Sequence, residues 1–334
     1  MRVGIIGGTR FIGFAIAHHL AAEGHEVALI HRGQSDPDEL ADLHHVHCDR
    51  NDVDSVRSAL TDFRADAVVD TCAFTAADAD ALLAAVPSDT RLVVLSSQDV
   101  YRAFARLNGV EGPIEPVPID EESPVRDERY PYREMPEDQF PMAKTYDKLD
   151  VEERVLARGA TVLRLGMVYG ARDGQRREGF MLVRLRAGRT RIPFGAGNGL
   201  LGRTYVDDCA TITALALGAD AAVGEIFNVA ESKNWTIRRW AEEIADAAGA
   251  PVGSGVELVR VPTDALPPDM ELTVAIPQPF VVDCSKAKGL LGWADTDPAV
   301  ATRRSVEWHL ANPHPSWDDF NFAADDAALE RAVT

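Results

Sequence analysis

The chain has 334 residues, 46% of them hydrophobic and 26% charged, enough for one large or two interlocked domains around a sizeable core. Its net charge of −19, carried by acids spread along the chain, disfavours nucleic acid and anionic membrane and suits a small-molecule ligand. No stretch approaches the roughly 18 uninterrupted apolar residues of a membrane helix. Cys48, Cys72, Cys209 and Cys284 lie far apart without a CxxC or a signal peptide, so reduced thiols in a cytoplasm are expected.

Strand and helix alternate through the first half. "RVGIIG" is an apolar run ended by glycine, and "FIGFAIAHHLAAEG" follows with helical spacing and Gly24 at its end. "EVALIHRG" and "HHVHCD" read as strands, "DVDSVRSALTDF" as a helix, and "ADAVVDTCA" and "RLVVLSS" as strands buried on both faces. This alternation predicts a parallel doubly wound α/β sheet. Residues 105–141, rich in prolines and charges, read as a long loop over an active site. A helix over 146–158 and a strand "TVLRLGMVYG" follow. Beyond Gly170 the glycine- and proline-rich composition predicts a smaller substrate domain, with "TYVDDCATITALALG" and "EIFNVA" returning to the main sheet.

"GIIGGTRFIG" places a glycine turn between the first strand and the first helix. Glycine permits the tight turn and lets backbone N–H groups approach a pyrophosphate at the helix N-terminus. Gly7, Thr9, Arg10, Phe11, Ile12 and Gly13 are the candidate cradle. At the end of the second strand, an acid would bind the ribose hydroxyls of NAD and a base would accept the 2′-phosphate of NADP. The sequence has His31 and Arg32 there, and a bidentate arginine suits phosphate. NADP is therefore the expected cofactor, with NAD as the alternative.

"GGTRFIG", "LSSQDVY", "YDKLDVEE", "RLGMVYG", "YVDDCA", "FNVAE" and "DCSKAKGLLGW" together resemble the extended short-chain dehydrogenase/reductase family, the NAD(P)-dependent epimerase/dehydratase group. The resemblance covers nearly the whole chain. "GGTRFIG" with "YDK" is most similar to atypical members related to chloroplast stem-loop-binding proteins. It implies a Rossmann domain over 1–165, with 203–230 returning to it and 166–334 mainly binding substrate. Gly7 and Gly13 match the GxxGxxG pattern, with Arg10 in the middle glycine's place, along the phosphates or the adenosine. Asp49 matches the family's adenine contact, or alternatively caps a turn. Ser97 matches the serine that bonds the reacting oxygen, and Ser96 its structural neighbour. Lys148, with Glu152 four residues on, matches the lysine that holds the nicotinamide ribose and lowers a tyrosine pKa.

The family tyrosine falls at Lys144, while Tyr146 stands two residues from Lys148. Residues two apart on a helix point about 200° apart, so Tyr146 serves only if it precedes the first helical turn, which Pro141 makes plausible. Tyr130, Tyr132 or a desolvated Lys144 are the other proton carriers. Nucleotide-sugar members have asparagine where this chain has Met167, and an arginine where it has Leu201. Met167 and Arg203, two residues on from Leu201, are thus the candidate substrate contacts.

"HHVHCD" holds possible metal ligands, but on one strand only His45 and His47 share a face. Three or four ligands are then hard to assemble, and no metal is expected. The leading expectation is an NADP-dependent oxidoreductase or epimerase/dehydratase acting on a hydroxylated, sugar- or nucleoside-like small molecule. The alternative is a non-catalytic nucleotide sensor or RNA-binding protein, which the acidic balance disfavours. The resemblance also implies a homodimer built on the helices near 75–86 and 147–158. Leu149, Val155 and Leu156 are offered to it, though the same residues would serve a subunit core.

Overall fold

The computed structural model describes residues 1–332. Its first half runs β1 (Arg2–Ile6), α1 (Phe11–Ala22), β2 (Glu26–His31), β3 (His44–His47), α2 (Val53–Phe63), β4 (Ala67–Asp70), α3 (Ala76–Ala85), β5 (Arg91–Ser97) and α4 (Arg102–Leu107). After a long irregular stretch come α5 (Lys148–Leu156), β6 (Thr161–Leu165), β7 (Met167–Tyr169), α6 (Gly179–Arg186), β8 (Arg191–Phe194), β9 (Arg203–Tyr205), α7 (Val206–Gly218) and β10 (Ile226–Val229). The remainder holds α8 (Ile237–Ala247), β11 (Glu257–Arg260), α9 (Ser285–Leu291), α10 (Pro298–Ala311) and α11 (Ala323–Glu330).

Seven parallel strands form one sheet in the order β10-β6-β5-β4-β1-β2-β3. Every residue of β4 and β6 is buried, which is why these strands read as apolar runs without alternation. Helices cover both faces. Ile16 and Leu20 of α1 share one core with Cys209 and Ile212 of α7. Val56 and Leu60 of α2 share the other with Leu82 of α3 and Val151 and Val155 of α5. The result is a Rossmann-type doubly wound fold.

The strand expected over "TVLRLGMVYG" divides at Gly166. A Cβ there would lie 2.5 Å from the Gly202 carbonyl oxygen, so the chain can pass only as glycine. β6 stays in the main sheet, and β7 leaves it to pair with β9. β10 returns the chain to the main sheet alongside β6. The start of the expected loop is also corrected, because α4 carries the chain in regular helix to Leu107.

A buried polar network ties α5 to the sheet. Arg164 on β6 donates to Glu152 on α5 at 3.0 Å (Nε–Oε1) and 2.7 Å (Nη2–Oε2). Ser96 donates to the same carboxylate at 2.5 Å, and Arg164 also donates to the Tyr101 hydroxyl at 3.0 Å. Glu152 therefore does not serve as a surface partner for Lys148. Arg164→Met should leave Glu152 buried and unpaired, costing about 3–5 kcal/mol, while adding Glu152→Leu should recover most of the loss. Urea denaturation midpoints of the two variants check this.

Candidate active site

The cleft opens at the C-terminal ends of the strands, over the point between β1 and β4 where the strand order reverses. Gly7 turns there at φ +88°, and a Cβ on it would meet Thr71 Oγ1 at 2.5 Å. A Cβ on Gly13 would meet the Gly7 carbonyl oxygen at 2.1 Å, so α1 can approach the turn this closely only as glycine. Phe11 opens α1 at φ +38°, a strained value for a bulky residue. The N-terminus of α1 has no side-chain cap and no acid in its first turn. Its free N–H groups and partial positive charge fit a pyrophosphate, so this cradle suits a dinucleotide.

Two connected cavities extend from the turn and share Thr9, Arg10, Ser35 and Phe74. One, of about 410 Å³, is lined by His31, Arg32, Asp49 and Arg50. Arg50 is already neutralised by Asp70 at 3.0 and 2.8 Å, whereas Arg10 and Arg32 are exposed. Asp49 lines the cavity and accepts the Asn51 N–H at 2.8 Å, as the turn-cap reading requires. His31 is buried beside His45 and His47. From β3 only His45 and His47 take part, but the expectation that further ligands are hard to assemble is corrected: β2 pairs with β3 so that His31 lies opposite His47. Asp36 joins them from the following loop.

The other cavity, of about 700 Å³, is lined by Ser97, Tyr146 and Lys148 among others. Asp147, not Tyr146, starts α5. Its carboxylate caps the helix through the Leu149 N–H at 2.9 Å, accepts the Tyr130 N–H at 2.7 Å and is clamped by Arg126 (Nη1–Oδ2 3.0 Å). Burial pushes the Asp147 pKa up, but Arg126 and the two N–H donors more than offset this and hold it below the ordinary value. Tyr146 lies before the helix, bridged in extended conformation to Thr75, so helical phase does not govern it.

The Tyr146 hydroxyl donates to Asp99 Oδ2 at 2.7 Å, and Tyr132 donates to the same oxygen at 3.1 Å. Asp99 is fully buried, its Oδ1 has no hydrogen-bond partner, and burial pushes its pKa up despite the tyrosines, Arg126 and Lys148. Tyr146 in turn sits well above its ordinary pKa through burial, then the nearby Asp99 charge; hydrogen bonding to Ser97 works the other way. The expected lowering of the tyrosine pKa by Lys148 is thus corrected. Lys148 is buried and donates to the Ala73 and Leu95 carbonyls at 2.7 and 2.9 Å, 4.6 Å above the Phe74 ring. Burial lowers its pKa against the pull of Asp99 and Asp70. One of its three N–H donors remains for a ligand in the cavity.

Of the catalytic and substrate candidates, Tyr130, Tyr132, Lys144, Met167 and Arg203 do not line this cavity, although Tyr132 reaches Asp99 behind it. Lys144 is exposed and pairs with Glu137 at 2.6 Å, because the turn before Tyr146 swings it into solvent. Gly166 and Val168 line the cavity, and Met167 between them faces away as strand alternation dictates. Arg203 is 2% exposed, pairs with Glu231 at 2.8 Å and lies 4.8 Å from the Trp240 ring centre, so it holds the core together. Sequence reasoning missed Asp99, which sits inside "LSSQDVY" but has no motif position of its own. It also missed the outer wall of Arg172, Gln175, Arg177 and Trp308. The basic run "ARDGQRREG" was the available signal.

Residues 3–230 match the model of the NAD dependent epimerase/dehydratase family. Chloroplast stem-loop binding protein of 41 kDa b from Arabidopsis thaliana is 29% identical over 307 residues, 86% of this chain and 74% of that protein. The 2'-dehydrokanamycin reductase of Streptomyces kanamyceticus is 28% identical over 263 residues, 75% of this chain and 68% of the relative. Among solved structures, dTDP-glucose 4,6-dehydratase from Bacillus anthracis in complex with NAD has a TM-score of 0.70 at 16% identity, with 95% of this chain and 98% of that one covered; at this identity the likeness is one of fold. The family match runs from β1 through β10, across the whole nucleotide-binding sheet, and on that ground the chain belongs to the NAD dependent epimerase/dehydratase family of NAD(P)-dependent oxidoreductases and epimerases.

Proposed function

We propose that the protein is an NADP-dependent oxidoreductase or epimerase/dehydratase acting on a hydroxylated small molecule. The observation that carries this reading is the meeting of Ser97, Tyr146 and Lys148 on one cavity that opens from the glycine turn. A nicotinamide cofactor supplies hydride exchange with a substrate carbon. Lys148 holds its ribose through the remaining N–H, and Ser97 donates to the reacting oxygen. Tyr146 passes the proton together with Asp99. Because a phenolate beside a carboxylate is disfavoured, Tyr146 takes the substrate proton as it gives its own to Asp99, and the reverse in reduction. Tyr146 then never has to ionise, which fits its raised pKa.

Arg172 and Arg177, whose charges are paired with Glu39 and Asp173, keep further N–H groups that with Gln175 supply donors, and Trp308 adds a flat ring, for a sugar- or nucleoside-like substrate. The four free cysteines fit a reducing cytoplasm, and among the described residues no helix is long and apolar enough to cross a membrane. The similarity to a stem-loop binding protein supports a second reading, a non-catalytic nucleotide sensor or RNA binder, against which the net charge of −19 counts.

For the chemistry, Tyr146→Phe should slow the chemical step by about 10²-fold or more with cofactor affinity nearly intact, and Asp99→Asn should slow it comparably. Lys148→Met should damage both chemistry and binding, and Lys144→Met neither. Single-turnover kinetics on a panel of alcohols and ketones checks this. A silent Tyr146→Phe with a dead Lys144→Met would remove Tyr146 from its role. No turnover at all, together with salt-dependent retention of RNA, would select the second reading.

NADPH should bind more tightly than NADH, and Arg32→Asp should erase that preference by removing a contact worth about 1.5–3 kcal/mol. Fluorescence titration of both cofactors measures it, and equal affinity in the parent protein would reject it.

A homodimer through α3 and α5 completes the proposal. Leu149 and Val155 are buried in the subunit core, which leaves the exposed Ala77, Asp80, Ala84, Glu153 and Ala157 as the face. Sedimentation should show a dimer, and a monomer at roughly micromolar concentration, where stable interfaces hold, would reject it.

A further inference from the structure

Three imidazoles and a carboxylate converge where β2 and β3 end, beside the 32–36 loop, with His31 also on the wall of the cavity that holds Arg32. His31 Nδ1 lies 3.4 Å from Asp36 Oδ1, and His47 Nε2 lies 3.4 Å from Asp36 Oδ2. His45 Nδ1 is 3.9 Å from Asp36 Oδ1 and 3.0 Å from His31 Nε2. One donor atom from each of the four residues falls within 4.8 Å of all the others. Bonds of about 2.0–2.2 Å to a tetrahedral zinc ion separate neighbouring ligand atoms by about 3.3–3.6 Å, so the cluster needs only small side-chain shifts to close on an ion.

A second feature points the same way. His45 Nε2 bonds the Leu40 carbonyl oxygen at 2.8 Å, which fixes the proton on Nε2 and leaves the Nδ1 lone pair facing the cluster. Anchoring of the far ring nitrogen by a backbone carbonyl is the usual support of a metal-binding histidine. The competing arrangement is a neutral hydrogen-bonded chain that runs from the Gly33 N–H to His31 Nδ1 (3.3 Å) and on through His45 to the Leu40 carbonyl, needing no ion.

We propose that His31, Asp36, His45 and His47 form a binding site for a divalent transition metal, with Zn²⁺ the best fit to three imidazoles and one carboxylate. The ion fastens the 32–36 loop to the edge of the sheet. The inference does not depend on which reaction the cleft performs.

Tag-free full-length protein, stripped with a chelator, is titrated with Zn²⁺ by calorimetry and with Co²⁺ by visible absorption. The expected result is one equivalent of Zn²⁺ bound and intense tetrahedral Co²⁺ bands. His47→Asn and Asp36→Asn alter side chains that are 54% and 48% exposed, so both should fold. Each should weaken binding at least about 100-fold, beyond the 10- to 100-fold cost of losing an outer partner. Cys48→Ser, next to His47, should retain full binding, and Zn²⁺ should raise the melting temperature of the parent but of neither weakened variant. The proposal is overturned by absence of stoichiometric binding, which leaves the hydrogen-bonded histidine chain. Binding unchanged in both variants, loss in Cys48→Ser, or a weak octahedral Co²⁺ spectrum would overturn it equally.

Discussion

The buried pair of Arg126 and Asp147 is the constraint on which the active site depends. Asp147 is simultaneously the cap of α5, the acceptor of the Tyr130 N–H and the partner of a guanidinium from the long irregular segment. Satisfying a buried carboxylate so fully fixes the residue at which the helix can begin. Lys148 becomes the first helical residue and Tyr146 lies outside the helix. Two side chains that regular helical phase would direct about 200° apart then line the same cavity. The same pair pins the segment over 108–141 to the start of α5, and the segment brings Tyr132 to Asp99.

A second consequence concerns charge. Around Tyr146 the structure gathers Asp99, Ser97 and Tyr132, and it aims Lys148 at backbone carbonyls. Only the hydrogen bond to Ser97 favours a free phenolate, and burial together with the Asp99 charge outweighs it. A hydroxyl hydrogen-bonded to a carboxylate with a raised pKa is instead suited to passing a substrate proton on to that carboxylate while the tyrosine itself stays neutral. The orphan Oδ1 of Asp99 adds to the cost of a permanent negative charge there. At the opposite end of the cleft, Arg10 and Arg32 are exposed while Arg50 is neutralised by Asp70, so the two exposed guanidiniums hold the available positive charge.

The sequence by itself determined the sheet, the turn and the helices against it. Apolar runs buried on both faces and glycines at a fixed offset admit few folds, because each reports a local steric or solvation requirement. Gly7 and Gly13 were legible from the order of strand, turn and helix together with the glycine pattern, and a Cβ at either would collide with neighbouring atoms. Ser97 and Lys148 followed from motif position. What the tertiary structure decided were the properties that depend on neighbours distant in sequence. Asp99 acquired its place only when Tyr146 and Tyr132 arrived at it from 47 and 33 residues away. Arg203, a substrate contact on strand spacing, instead faces inward, where Glu231 neutralises its charge and Trp240 lies against its guanidinium. The histidines of β3 gained a third from β2 by register across the sheet. Local pattern carries backbone conformation, but the partners of a buried charge or an imidazole are chosen by packing between segments, and only the folded chain fixes those.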